Sequence, residues 1–234
     1  MSIAENVAQI RECIVGAARR VGRDPQAITL MAVSKTFGPE RIREAYAAGL
    51  RVFGENRIQE FAGKSDALPD LRSAEWHMIG HLQTNKAARA VALFTAVDSI
   101  DSLRLAEKLN ASARAAEKKL SALIEINVGG EAAKTGLIPS APDLEQLLRS
   151  AQELRHLEFR GLMTIPPFSD DPQQARPYFR KLRELRDQIT ARRLPAVCMQ
   201  ELSMGMSHDF EIAIEEGSTC VRIGTAIFGE RPRR

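Results

Sequence analysis

The sequence has few of the features that mark disulfide-rich, membrane-spanning or nucleic-acid-binding proteins. Its 234 residues include only three cysteines, an odd number that argues against a disulfide framework and suits a reducing compartment. No apolar run approaches the roughly 18 residues of a membrane span, and Glu5, Arg11 and Glu12 interrupt any signal-peptide core. The net charge is only +3, with 33 basic and 30 acidic residues interspersed. We therefore expect a cytoplasmic protein that binds neither membranes nor nucleic acid.

The common motifs for phosphate and metal binding are missing as well. The chain has no P-loop and no G-x-G-x-x-G, so any phosphate must be bound by another arrangement. His77 and His81 are four residues apart, but they fall in a strand pattern and no glutamate follows His77. We expect no metal site.

The apolar pattern predicts an extra N-terminal helix followed by eight strand–helix units. Ile3, Val7, Ile10 and Ile14 recur with helical spacing behind a capping-box pattern at Ser2. We predict strands near 28–34, 51–54, 75–80, 93–98, 121–128, 157–164, 200–204 and 219–223, alternating with helices near 39–48, 56–65, 84–91, 101–117, 140–154, 172–190 and 208–216. Such alternation implies parallel strands, and eight units over residues 1–234 predict a single (β/α)8 TIM barrel in one domain. An open doubly wound sheet is the alternative.

Lys35 directly follows an almost unbroken apolar run that has the length and composition of a buried strand. The chain has only eight lysines, against twenty-five arginines, and this one ends the run 28–34. A lysine at a buried strand end loses its proton more easily, and a neutral amine can form an imine with an aldehyde. The alternative is an ion-paired or snorkelling lysine.

A second group of residues, near the C-terminus, is typical of a phosphate-binding corner. Barrels often bind phosphate with the loops after strands seven and eight, and here those loops contain Ser207, Gly224 and Thr225. Glycine lets the backbone approach an anion closely, and hydroxyl groups add donors. Arg222 lies inside the apolar eighth strand, so it must be paired or point into a polar cavity. It could contact a phosphate, a pyridine nitrogen or a structural carboxylate.

Polar residues also follow the other predicted strands. In a barrel these ends form one rim, where function collects. The predicted rim residues are Lys35, Glu55, Asn56, His81, Asp98, Asn127, Thr164, Ser203 and Arg222. Lys134, after strand five, is either a second anion contact or a surface lysine.

Six segments together resemble the pyridoxal phosphate homeostasis protein family, whose members are related to the barrel domain of alanine racemase. They are residues 32–35, 53–60, 76–86, 161–163, 202–209 and 221–229. They span nearly the whole chain in the right order. The resemblance implies a (β/α)8 barrel that holds pyridoxal 5'-phosphate (PLP) as an internal aldimine on Lys35.

The resemblance also assigns roles to other residues. It implies phosphate contacts from Ser207, Gly224 and Thr225, with Arg222 near the pyridine nitrogen, and a cofactor lined by Asn56, His81 and Met204. Family members are regarded as carriers or buffers of PLP for apo-enzymes, affecting vitamin B6 and amino-acid balance, without established turnover. We expect binding of PLP and of amino acids, transient contact with apo-enzymes, and a monomer or weak dimer.

Two enzymatic alternatives remain open. A small amino-acid racemase needs two acid–base groups; Lys35 could serve one face, and His81 is the candidate for the other. In the racemase relatives that second group comes from an additional domain, which we do not expect here. A Schiff-base aldolase acting on a phosphosugar would use the same lysine and phosphate corner. We assign no catalytic residue from the sequence.

Overall fold

The computed structural model describes residues 1–131 and 134–230, which form a closed barrel of parallel strands. The strands are β1 (Thr29–Val33), β2 (Val52–Glu55), β3 (Glu75–Met78), β4 (Ala96–Ile100), β5 (Leu120–Glu125), β6 (Leu157–Met163), β7 (Val197–Ser203) and β8 (Cys220–Ile223). The helices are α1 (Ile3–Arg20), α2 (Pro39–Ala47), α3 (Ile58–Ser65), α4 (Ala87–Leu93), α5 (Leu103–Ala115), α6 (Pro142–Ser150), α7 (Arg176–Ala191), α8 (Phe210–Glu215) and α9 (Thr225–Phe228).

The barrel closes in sequence order, since each strand pairs with the next and β8 returns to β1. Across the closure, Thr29 lies opposite Cys220, and Ala32 lies opposite Ile223. This closure confirms the predicted (β/α)8 barrel and excludes the open sheet. All strand ends that carry polar residues therefore meet at one mouth.

The predicted N-terminal helix is α1, which packs on the outside of the barrel. Its start is fixed by a complete capping box, in which Ser2 and Glu5 bond to each other's backbone amides. Ile3, Val7 and Ile10 are buried in an apolar cluster with residues of α2, α8 and α9. Helix α1 thus covers the seam between the last and first units.

The boundaries differ from the predictions in two places that matter for the site. The fourth strand, expected near 93–98, begins at Ala96 because α4 extends to Leu93. It then continues to Ile100, so Asp98 lies inside the strand instead of at its end. Helix α9, which follows Gly224, was not predicted because four residues are too few to show a periodicity.

The interior of the barrel is more polar than the aliphatic layers usual for this fold. His77 on β3 lies 3.1 Å from both carboxylate oxygens of Asp98. Burial opposes the imidazolium, but the Asp98 carboxylate outweighs it and the pKa of His77 is raised. His77 therefore has a structural partner, Asp98.

Gly161 on β6 is required sterically, since a Cβ there would lie 2.8 Å from the Cα of Glu201.

Cys13, Cys198 and Cys220 are all free thiols. In the part of the chain that the structure describes, no helix is both long and apolar enough to cross a membrane.

Candidate functional site

A cavity opens at the C-terminal mouth of the barrel and has a volume of about 380 Å³. This is the end at which barrels bind their ligands, and the volume falls in the usual range for small-molecule pockets. Six of the eight predicted cofactor-binding residues line it: Lys35, Asn56, Ser207, Arg222, Gly224 and Thr225. Their role in binding remains a prediction, but the fold brings them together.

Lys35 is positioned by the end of β1. The strand stops at Val33, the next residue Ser34 is fully buried, and Lys35 is partly buried at the cavity wall. Thr36 then has a φ of +71°, a left-handed conformation that is unfavourable for a β-branched residue. This sharp turn ends the strand directly beside the amine.

Arg222 forms the floor of the cavity. Its guanidinium donates to the Ser203 hydroxyl at 2.8 Å and to the Thr164 carbonyl at 2.7 Å, and only 3% of the residue is exposed. Burial lowers the pKa of Arg222, while the carboxylates of Asp98 and Asp209 act in the opposite direction. The side chain is held from two neighbouring strands, so its direction is fixed before any ligand binds.

The predicted phosphate corner is built by two loops that meet. After β7, Gly205 has a φ of +95°, and a Cβ there would lie 2.5 Å from the Cβ of Ala213. This turn brings Ser207 to the start of α9, where its hydroxyl accepts from the Ala226 amide at 3.4 Å. Asp209 stabilises the same loop by accepting from the Met206 amide at 2.6 Å. The corner therefore offers two hydroxyl groups and glycine backbone, a donor set that fits a phosphate.

Asn56 is positioned by a close contact with the next loop. Gly80, after β3, lies so near that a Cβ there would be 2.9 Å from the Cα of Asn56. The Gly80 carbonyl also accepts from the Ser99 hydroxyl at 2.6 Å, which fixes this loop to β4. A side chain at position 80 would therefore push on the backbone of a cavity residue.

We expect Gly80→Ala to weaken PLP binding and to lower the free energy of unfolding by about 1–3 kcal/mol, the usual cost of overpacking. The matched control is Gly63→Ala on α3, where an added Cβ meets nothing within 4 Å. Because glycine is unfavourable inside a helix, the free energy of unfolding of this control should rise by about 0.5–1 kcal/mol. Urea unfolding and PLP titration of both variants check the prediction. Equal PLP affinities and equal unfolding free energies of Gly80→Ala and Gly63→Ala would contradict the prediction.

Two of the predicted cofactor-binding residues, His81 and Met204, are not among the described residues that line the cavity. The side chain of His81 is 53% exposed and bonds to Asp101 through Nδ1 at 2.9 Å. Met204 is fully buried in the core between strands and helices, and its neighbour Met206 lines the cavity instead. Lys134 pairs with Glu131 at 2.7 Å and is also outside the cavity lining.

The sequence interpretation missed the apolar wall of the cavity. Ile165, Pro166, Pro167 and Phe168, from the loop after β6, line one side. Phe168 is 81% exposed and packs loosely against the ring of His208, with centroids 6.1 Å apart. The sequence carries a signal for this wall, because the loop follows a barrel strand at the functional end.

A buried carboxyl group at the end of β5 was missed as well. Glu125 is only 4% exposed; one carboxylate oxygen accepts from the Thr135 hydroxyl at 2.8 Å, and the other is buried with no partner among the described residues. Burial raises the pKa of Glu125, and the Thr135 hydrogen bond and Arg222 partly oppose this. Burial of this carboxyl group therefore disfavours its charged form relative to a carboxyl group in water.

No group of three or more His, Cys, Asp or Glu side chains that could hold a metal ion occurs among residues 1–131 and 134–230. The cavity lining instead combines the amine of Lys35, the guanidinium of Arg222 and several hydroxyl groups, together with Asn56, His208, Asp171 and Asp209. It suits an anionic organic ligand with a reactive carbonyl.

Comparison with known proteins decides the family. The family described as "Alanine racemase, N-terminal domain" matches residues 2–232. The pyridoxal phosphate homeostasis protein of Aquifex aeolicus is 48% identical over 231 residues, which cover 99% of each chain. The chain belongs to the pyridoxal phosphate homeostasis protein family.

Solved structures agree with the family assignment. PipY of Synechococcus elongatus, solved with PLP bound, is 36% identical and superposes with a TM-score of 0.84, covering 97% of this chain and 100% of PipY. Alanine racemase of Streptomyces lavendulae is only 17% identical, with a TM-score of 0.71 over 98% of this chain and 58% of the racemase. The racemase therefore shows the fold that the family shares.

Proposed function

We propose that this protein is a PLP-binding homeostasis protein that attaches the cofactor covalently to Lys35 and stores it reversibly for other enzymes. The observation that carries the proposal is the convergence of Lys35, Arg222 and the Ser207 corner on one cavity. Each lies on a different element, so only the closed barrel brings them together. The names of its relatives and the PLP-bound PipY structure support the same function.

Each group has a part in holding the cofactor. When bound, PLP supplies an aldehyde that condenses reversibly with a primary amine, and Lys35 is the amine that lines the cavity. Ser207, Gly224 and Thr225 would bind the phosphate, and Asn56 would contact the ring from the side of β2. Arg222 would face the pyridine nitrogen.

Arg222 would also limit how strongly a bound cofactor withdraws electrons. A guanidinium only donates hydrogen bonds, so it would leave the pyridine nitrogen unprotonated. An unprotonated ring is a weaker electron sink than one paired with a carboxylic acid. In addition, the imidazole of His81 is exposed and bonded to Asp101, which supports no assignment as the second acid–base group.

The open side of the cavity fits exchange with other molecules. Lys35 is only partly buried where it lines the cavity at the barrel mouth, so we infer that small amines can reach its side chain. We include in the proposal exchange with amino acids and transient contact with apo-enzymes that need PLP. We further propose that the protein acts in the cytoplasm as a monomer or weak dimer.

We expect purified protein to develop a visible absorption band on addition of PLP, because the adduct extends the conjugation of the ring. Borohydride should trap the cofactor, and peptide mass mapping should find the phosphopyridoxyl group on Lys35. Protein loaded with PLP should then activate an added apo-enzyme at a higher rate than the rate at which PLP dissociates from the protein into buffer alone. Folded protein that yields no adduct would overturn the proposal and favour the phosphosugar alternative.

A further inference from the structure

Lys64 on α3 is a buried lysine outside the cavity. Its side chain is only 8% exposed, although lysine is almost never buried unless it is paired. Its Nζ lies 2.7 Å from Oε1 of Glu55, which is fully buried, and 3.3 Å from Oε1 of Glu60. The same nitrogen donates to the carbonyl oxygens of Ser34 at 3.1 Å and Phe37 at 3.2 Å. These four partners of the Lys64 amine are all oxygen atoms.

These contacts surround Lys35 in the chain. Ser34 precedes Lys35; its carbonyl accepts from Lys64, and its hydroxyl donates to Glu55 at 2.6 Å. On the other side, the amide of Thr36 donates to Oε1 of Glu60 at 2.5 Å. We call Glu55, Glu60 and Lys64 the lysine clamp, because together they bind the residues before and after Lys35.

The backbone that the clamp binds is strained. Thr36 has a φ of +71°, a conformation that persists in a β-branched residue only where its surroundings enforce it. The last ladder bond of β1 runs from the Ser34 amide to the Gly54 carbonyl at 3.0 Å, and inside the turn the Phe37 amide donates to the Ser34 carbonyl at 3.2 Å. The bond to Glu60 holds the Thr36 amide, and the Lys64 bonds to Ser34 and Phe37 close the turn from the outside.

We propose that Lys64 and Glu60 are positioning residues that hold the Lys35 amine toward the cavity. Neither of them lines the cavity in the described part of the chain, so they act through the backbone of residues 34–37. The importance of this positioning for PLP rests on the function proposed above. The clamp itself does not, since it is a property of the protein without cofactor.

Two test variants, which differ in how strongly they disturb the buried charges, are compared with one control variant and one rescue variant. Lys64→Met removes the cation but keeps a similar unbranched shape, and it leaves Glu55 without its counter-charge. Glu60→Ala removes the bond to Thr36 from a side chain that is 24% exposed, so it is expected to fold. Gln59→Ala, an exposed neighbour on α3, is the matched control. Lys64→Arg restores the charge and should rescue part of the effect.

The first readout is chemical and needs no PLP. Cofactor-free protein is pulse-labelled at a series of pH values with isotopic formaldehyde and cyanoborohydride, and modification of Lys35 is measured by peptide mass spectrometry. The exposed Lys119 serves as the internal reference. We expect the midpoint for Lys35 to move to higher pH in Lys64→Met, where a positive charge is lost, and to lower pH in Glu60→Ala, where a negative charge is lost.

The second readout is PLP affinity. Misplacing a reacting group by about 1 Å can cost on the order of 100-fold, and we expect Glu60→Ala and Lys64→Met to weaken PLP binding by about tenfold or more. Unchanged affinity together with unchanged Lys35 profiles in folded variants would overturn the positioning role. If wild-type protein fails to load PLP, the proposed function fails, and the labelling profiles still decide whether the clamp positions Lys35. If Lys64→Met does not fold, the two readouts on Glu60→Ala alone decide whether the clamp positions Lys35.

Discussion

Lys35→Ala is expected to abolish the borohydride-trapped adduct and to weaken PLP binding by on the order of 100-fold, equivalent to about 2.7 kcal/mol. The covalent link would be lost while the phosphate corner and Arg222 remain, so residual non-covalent binding should persist. Losing even a hydrogen bond to a charged group costs about 1.5–3 kcal/mol, and a covalent contact contributes at least as much. Absorption titration and peptide mapping measure both effects.

The matched control for this variant is Lys119→Ala. Lys119 precedes β5 at the opposite end of the barrel, where its side chain is 69% exposed and lies 3.6 Å from Glu158. Its removal should leave PLP binding unchanged and alter the unfolding free energy by less than about 1 kcal/mol, as for other surface pairs. If Lys35→Ala loads PLP as well as this control does, Lys35 is not the attachment site.

The barrel could be predicted from the sequence because each unit carries its own local signal. The alternation of apolar runs with helical patterns gives the strand number, and the position after a strand places Lys35 and Asn56 at the functional mouth. Ser207, Gly224 and Thr225 follow from the same rule applied to the last two strands. Six of the eight predicted contacts therefore meet at one cavity.

The remaining features depend on contacts that sequence spacing does not encode. Whether His81 or Met204 turns toward the cavity is decided by a partner on another element, Asp101 in one case and the apolar core in the other. The burial of Lys64 has the same origin, since a lysine on a helix is ordinarily a surface residue until Glu55 is placed beneath it. The direction of a side chain at the mouth of the barrel is therefore set by tertiary contacts.

Arg222 provides the second large effect, because it is a buried cation that interacts with several buried acids. It lies on β8 with 3% exposure and interacts electrostatically with Asp98, Asp209 and Glu125. Burial raises the pKa of Glu125 and that of Asp209, and Arg222 opposes both shifts. Removing one partner from a buried charge network usually costs about 3–5 kcal/mol. We expect Arg222→Met to lower the unfolding free energy of the cofactor-free protein by that amount near neutral pH.

The pH dependence of this loss follows from proton linkage. Without Arg222, the pKa values of Glu125 and Asp209 should rise further above their unfolded values of about 4. A carboxyl group with a raised folded pKa binds its proton more tightly in the folded state, so stability falls as pH rises from the unfolded value through the folded one. The deficit of Arg222→Met relative to wild type should therefore be small near pH 4 and grow toward neutral pH.

Urea unfolding at several pH values measures this difference directly. Arg222→Lys keeps the positive charge and should show a smaller deficit, while Arg104→Met, at an exposed position on α5, should show almost none. A deficit that is the same at every pH would mean that Arg222 stabilises the barrel by packing and hydrogen bonding alone. A deficit that grows with pH would mean that the charge of Arg222 also stabilises the buried acids around it, in addition to the hydrogen bonds to Ser203 and Thr164 that orient the guanidinium.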